Sequence, residues 1–207
     1  MQDADNLVWK LKLVIDGKAP DGLIDSYDFE RILAAEENIL NSSRSTDFIT
    51  PKSEISRVFR DAVLDLSERV PGIRALVNSG RLSTPSTYDG SPLNGPDAAE
   101  LPARTRPGAP VVDAPIGEGF LLDLLGNRFQ LMTLDAGAPP RLEIDGVVVE
   151  RLALETRGRD LLKQRYLGDA ASAVYLLRPD QHVAARWTHW DAEAVAMAVR
   201  KATGRGS

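Results

Sequence analysis

The sequence predicts an α/β protein built from a helical front part, a proline-rich connector and a small α/β sandwich. Three observations predict it. Apolar residues recur at helical spacing from Gln2 to about Leu66, and seven prolines fall between Leu82 and Pro115 with no sustained period. After Ala114 short β-branched and apolar runs alternate with short helical ones.

The chain of 207 residues can bury a substantial core, and its apolar and charged fractions, 43% and 27%, are those of a globular protein. A formal charge of −5 with scattered Lys and Arg forms no basic stripe, which argues against nucleic-acid and anionic-membrane partners. No cysteine occurs, so disulfides, thiolate catalysis and cysteine-ligated metal are excluded together. No apolar run approaches the roughly 18 residues of a membrane span, and the acidic start is unlike a signal peptide, so the expected compartment is the cytoplasm.

In chain order, Gln2 to Asp16 reads as a helix that Gly17 stops. Leu7, Leu11, Val14 and Ile15 form one face, and Val8, Trp9 and Leu13 fill most of the rest. A helix apolar on nearly every side needs enclosure, so the expectation is that it packs on chain preceding Met1. Pro20 and Gly22 turn the chain into a second helix, with Leu23, Tyr27, Ile32, Ala35, Ile39 and Leu40 at helical spacing to about Asn41. Asn41 to Ser53 reads as a polar joint. Pro51 then opens a third helix with Ile55, Val58, Phe59, Val63 and Leu66 as its stripe, and Ile73 to Asn78 a further short piece.

The connector holds a possible extended piece at Ser86–Tyr88 and a turn at Asp89-Gly90. The domain boundary is expected near Arg104, giving 1–81, 82–105 and 106–207. Beyond it, Phe120–Leu125 reads as a short strand or edge, Phe129–Leu134 as a buried strand, and Val147–Val149 as a strand. Arg159–Tyr166 is a short helix. Ala173–Leu177 and His182–Trp187 make a hairpin of alternating side chains around Arg178–Gln181, and Asp191 opens a last helix that Gly204 ends.

The stretch QDADNLVWKLKLVIDGKAP with LIDSYDFER resembles a segment of the single-component FAD-dependent aromatic hydroxylases, the flavoprotein monooxygenases that include 3-(3-hydroxyphenyl)propionate and polyketide hydroxylases. RPGAPVVDAPI, FLLDLLGNRFQLMTL and YLLRPDQHVAARW are similar, in order, to their thioredoxin-like C-terminal domain, while NILNSSRSTDFITPKS and LVNSGRLS are similar to the connecting region. The resemblance covers nearly the whole chain. It departs at Glu30-Arg31-Ile32-Leu33, where family members often read Glu-Arg-Arg-Pro. It also lacks the GxGxxG fingerprint and the Asp-Gly and Gly-Asp motifs that hold the cofactors.

The resemblance implies the C-terminal part of an FAD- and NAD(P)H-dependent monooxygenase that hydroxylates an aromatic small molecule, not catalytic by itself. The partner is then a missing FAD-binding half, or a second copy in a homodimer. It implies cofactor-facing positions at Asp3 and Asn6, since in the family the start of this helix lies beside the flavin, and substrate-facing ones at Arg44 and Asp47. The alternative is a non-catalytic thioredoxin-like dimerisation or interaction module. Without paired thiols, the thioredoxin-like domain has no disulfide chemistry.

No catalytic or metal-binding residue is assigned. His182 and His189 lack the spacing of a metal site and are expected to be partly exposed structural residues. Glu36-Glu37 and Asp25/Asp28 are expected on solvated helix faces, and Ser43, Ser45 and Thr46 lack a glycine-rich cradle that would make them a phosphate site.

Overall fold

The structure, a computed structural model, describes residues 1–73 and 85–206. The expected helix Ile73–Asn78, apart from Ile73, and all of Leu76–Ser83 lie outside the described residues. The chain divides into two compact units, Met1–Arg31 with Thr87–Ser207, and Ile32–Ser86.

The first unit is organised by a five-stranded sheet. Its strands are β3 (Phe129–Leu134), β4 (Arg141–Ile144), β5 (Val147–Leu154), β6 (Ala173–Leu177) and β7 (Val183–Trp187), in the order β4-β5-β3-β6-β7. β3 runs parallel to β5, with Met132 opposite Leu152, and antiparallel to β6, with Met132 opposite Tyr175. A fully buried central strand needs apolar residues at both parities, which is why FQLMTL reads as a near-continuous apolar run instead of an alternating one. Phe129 and Leu131 face a core with Val149, Val174, Leu176 and the helix α5 (Ala192–Ala202), whose Val195, Ala198 and Val199 are buried. Met132, Leu134, Tyr175 and Leu177 face the other core, with Leu121 and with Leu162 and Tyr166 of α4 (Asp160–Tyr166). The expected α/β class is the observed one.

Several strands and helices differ from their sequence-based bounds. Arg141–Ile144, with no element expected, is a strand because it pairs antiparallel with Val147–Glu150 across the Asp145-Gly146 turn, where both residues take positive φ. Leu121–Leu124 is a 3-10 turn, and the extended part before it is limited to the small ladder of β1 (Pro115–Ile116) and β2 (Gly119–Phe120). The hairpin β6–β7 is buried at every position, so it shows no exposed alternation. Ser86–Tyr88 joins no strand among the described residues; Tyr88 N–H donates to Gly108 O at 2.9 Å.

The proline-rich connector is bound, not free. Gly95 N–H and Gly108 N–H donate to Ala184 O and Val183 O, each at 2.7 Å, and Val111 N–H to Gln181 O at 2.8 Å. The connector's non-proline donors thereby cover the open edge of β7. Gly108 is required there, since its φ is +88° and a Cβ would lie 2.5 Å from Tyr88 O.

Helix α1 (Gln2–Ile15) ends before Gly17, whose φ is +68°. Its buried members are Asn6, Trp9 and Lys10, with Leu13 and Val14 partly buried. The face expected from the sequence is not the one that is buried, because Leu11 and Ile15 are exposed. Trp9 decides the orientation, as the largest apolar side chain of the helix and in edge-on contact with Phe129 at 5.6 Å.

Helix α2 (Asp25–Ile49) starts in the first unit and ends in the second. It continues through Asn41–Ile49, most of the expected joint, because no Gly or Pro falls between Gly22 and Pro51 to stop it earlier, and it ends just before Pro51. Pro51 lies outside α3 (Glu54–Arg69), which is capped by Ser53 accepting from Ser56 N–H at 3.1 Å. No residue of α3 is buried, and Ile55, Val58 and Phe59 of its apolar stripe are exposed. No helix among the described residues is long and apolar enough to cross a membrane.

Candidate functional site

The most concentrated polar chemistry of the first unit is a buried cluster of four charges. Lys10 comes from α1, Glu30 from α2, and Arg178 and Asp180 from the turn between β6 and β7. Lys10, Glu30 and Arg178 have fully buried side chains, and that of Asp180 is 2% exposed. Arg178 meets Glu30 in a two-pronged contact at 2.5 and 2.9 Å, and its Nε donates to Asp180 Oδ1 at 3.0 Å. Lys10 Nζ reaches Glu30 Oε2 at 2.9 Å.

Local structure aims each group inward. Asn6 and Lys10 are four apart on α1 and share a face, so Lys10 Nζ donates to Asn6 Oδ1 at 2.8 Å. The Asn6 amide donates to Glu30 Oε2 at 2.7 Å and to Asp180 Oδ2 at 3.2 Å. Arg178-Pro179-Asp180-Gln181 closes with Gln181 N–H on Arg178 O at 3.0 Å and Gln181 at φ +59°, a turn that puts Arg178 and Asp180 on one side. Ser91 Oγ completes the cluster by donating to Glu30 Oε1 at 2.6 Å.

Aromatic rings wall the cluster. The Arg178 guanidinium lies 5.2 Å from the Trp9 ring centre and 5.6 Å from that of Tyr88. Tyr88 stacks on His182 at 4.4 Å, and Arg31 donates to its hydroxyl at 3.0 Å. His182 is buried, against the expectation of partial exposure, because its ring fills the space between Tyr88 and the Asp180 carbonyl, 3.0 Å from Nδ1.

All four charges persist at neutral pH. Burial alone pushes the Glu30 carboxyl up, but the charge and hydrogen bonds of Arg178, then Lys10 and Asn6, bring it down to about 2. Burial lowers Lys10 to about 8, only partly offset by Glu30. Burial likewise opposes ionisation of Asp180 and Arg178. Their mutual attraction overrides it, holding Asp180 well below the carboxylate range and Arg178 above its usual value. The sum is neutral, and every oxygen of both carboxylates accepts a hydrogen bond from inside the cluster. With each carboxylate oxygen engaged inward, the cluster is arranged to orient its elements and not to act as an acid–base pair.

The residues singled out in the sequence are placed as follows. Asp3 is solvent-facing on the first turn of α1 and accepts from Arg31 Nε at 2.6 Å. Asn6 is buried inside the cluster. Arg44 and Asp47 are exposed on the second half of α2, with Asp47 3.5 Å from Lys52. The structure brings Asn6 together with Lys10 and Glu30, which composition and spacing do not identify. The available signal is a lysine and an asparagine spaced by four around Trp9 in an otherwise apolar helix, together with the Glu30-Arg31 and Arg178-Pro179-Asp180 runs. Among the described residues no group of three His, Asp or Glu is arranged to hold a metal.

Asp3 is ion-paired with Arg31 at the surface, and Asn6 spends both its oxygen and its amide inside the cluster. A shallow depression open to solvent, of about 600 Å³, lies elsewhere in the unit, lined by Ala19, Pro20, Asp145, Arg200 and Arg205. Its Arg200 is paired to Asp145 at 2.9 Å.

Comparison with known proteins gives a consistent relation. Residues 1–42 match the FAD binding domain family. The chain is 33% identical to the 3-(3-hydroxy-phenyl)propionate/3-hydroxycinnamic acid hydroxylase of Mycobacterium sp. (strain JLS), over 64% of this chain and 24% of that protein. It is 27% identical to the 2,4-dichlorophenol 6-monooxygenase of Cupriavidus pinatubonensis, over 100% of this chain and 43% of that one. The fold matches the flavin-dependent monooxygenase PieE, solved with FAD and substrate, at a TM-score of 0.71 and 23% identity, covering 99% of this chain and 44% of PieE. The chain thus spans between about a quarter and just under half the length of these relatives. In sequence and in fold it is a relative of the FAD-dependent aromatic hydroxylases, corresponding to a part of them.

Proposed function

We propose that the chain serves as part of an FAD- and NAD(P)H-dependent monooxygenase acting on an aromatic small molecule, and that the flavin is held by a portion of the enzyme outside this chain. The observation that carries the reading is the match of residues 1–42 to the FAD binding domain family, in a chain whose α1 and the start of α2 meet the α/β body through the buried cluster. When bound, FAD supplies the oxygen-activating chemistry; this chain supplies packing and orientation. The commitments of Asp3 and Asn6 support a flavin site completed elsewhere.

Titration of the purified chain with FAD, followed by flavin fluorescence and NAD(P)H oxidation, tests the reading. The expected result is no stoichiometric binding and no oxidation above the free-flavin background. Tight stoichiometric binding with turnover would show that the chain is a complete enzyme. Co-expression with the FAD-binding portion of a related hydroxylase should give a yellow complex, and its absence counts against the monooxygenase reading.

A second reading, a non-catalytic interaction or dimerisation module, is favoured by the unburied apolar stripe of α3, where Ile55 is 83% and Phe59 63% exposed. Sedimentation equilibrium separates the two. A colourless, stable dimer whose self-association is abolished by Phe59→Glu supports the module.

A further inference from the structure

Two features of the cluster have different consequences for the fold. Burial of Trp9, Leu13 and Val14 gives α1 a reason to adhere to the body, but apolar contact is non-directional. The contacts of Arg178 and Asp180 with Glu30 and Asn6 are directional, and the one between Arg178 and Glu30 is short, with both side chains fully buried. They also join positions 148 and 174 residues apart, from the two ends of the unit.

Replacing a buried ion cluster by apolar side chains of similar volume is often neutral or stabilising, whereas leaving one member unpaired is strongly unfavourable. Such a cluster therefore contributes little net adhesion. Its effect is to penalise every orientation in which its members separate.

From this we infer that Arg178, acting through Glu30 and Asn6, is a positioning residue. It fixes the direction in which α1 and the start of α2, the stretch matching the FAD binding domain family, are set on the α/β body. A rotation of α1 by one residue, about 100°, would carry Asn6 and Lys10 away from Glu30 and Asp180 together. Trp9 by itself tolerates such slippage better in one direction, where the preceding Val8 offers apolar surface in its place. The consequence for flavin geometry rests on the monooxygenase reading; the positioning itself does not.

Hydrogen exchange on this chain without flavin tests the inference, so its failure and that of the monooxygenase reading are distinguishable. In Arg178→Met the amides of α1 should exchange on the order of 100-fold faster, as expected for a lost partner of a buried charge, while β3 and β6 change by less than about threefold. Equal acceleration in α1 and the strands would make Arg178 a general stability element, and an unchanged α1 would remove the role altogether; either result overturns the inference.

Should the single variant not fold, the neutralised variant Lys10→Met/Glu30→Leu/Arg178→Met/Asp180→Asn decides. It should keep the protection of β3 and β6 but show more than one indole signal for Trp9, the mark of more than one setting of α1. A single Trp9 indole signal, or loss of protection in the strands, would overturn the inference.

Discussion

Glu30 shows how one residue's environment controls its charge. Fully buried, it would be neutral alone, yet Arg178, Lys10 and Asn6 bring its pKa to about 2, against an ordinary 4.5, and Ser91 adds a further donor. A carboxyl whose folded pKa is depressed contributes stability that is complete above its unfolded value and is lost as pH falls toward its folded one. Acid titration followed by circular dichroism should therefore show stability decreasing from about pH 4.5 toward 2, and Glu30→Gln should flatten that part of the profile. Lys10 acts in the opposite sense. Its pKa of about 8, against an ordinary 10.5, means that the charged form is penalised in the fold; the penalty is complete below pH 8 and is relieved between 8 and 10.5. Alkaline titration in that window should not weaken the protein through Lys10. Gly108 carries a different constraint. Gly108→Ala places a methyl group against Tyr88 O at a φ of +88°, and is expected to cost about 2 kcal/mol or more, measurable by urea denaturation.

Among the elements, α5 is the one whose ends are written most clearly. Asp191 accepts from the N–H groups of Glu193 and Ala194 at 2.9 and 3.0 Å, and the helix gives way at Gly204, φ +74°. Asp191→Ala should lower stability by about 1 kcal/mol, seen as a shift in the urea midpoint with an unchanged slope. Helix α2 illustrates the reverse. Its polar run of Ser, Arg, Thr and Asp suggests a joint by composition, but no backbone breaker accompanies it, and Thr50 Oγ even donates back to Thr46 O at 2.7 Å as the helix ends. Side-chain polarity there marks a solvated helical surface. Arg44 and Asp47 belong to that surface, so their alanine variants should leave stability within about 0.5 kcal/mol.

Taken as a whole, the molecule separates what is written locally from what is decided by partners. β3, β6 and α5 were legible because a strand buried on both faces needs an unbroken apolar run, and a capped amphipathic helix carries its own boundaries. The resemblance of the motifs to aromatic hydroxylases agrees with the relatives in sequence and fold. Local pattern did not reveal that β4 completes the sheet edge, that the proline-rich connector covers β7, or that α1 buries Asn6, Trp9 and Lys10 in place of its leucines. The last two depend on surfaces contributed from far along the chain, whereas β4 pairs with its neighbour across the Asp145-Gly146 turn, a local signal that its composition masked. The sequence by itself determined the class of fold, its helices and central strands, because periodicity is a local property. Only the tertiary structure decided the orientation of the first helix and the partners of Glu30, because a buried charge takes its counterions from whatever the fold brings within about 3 Å.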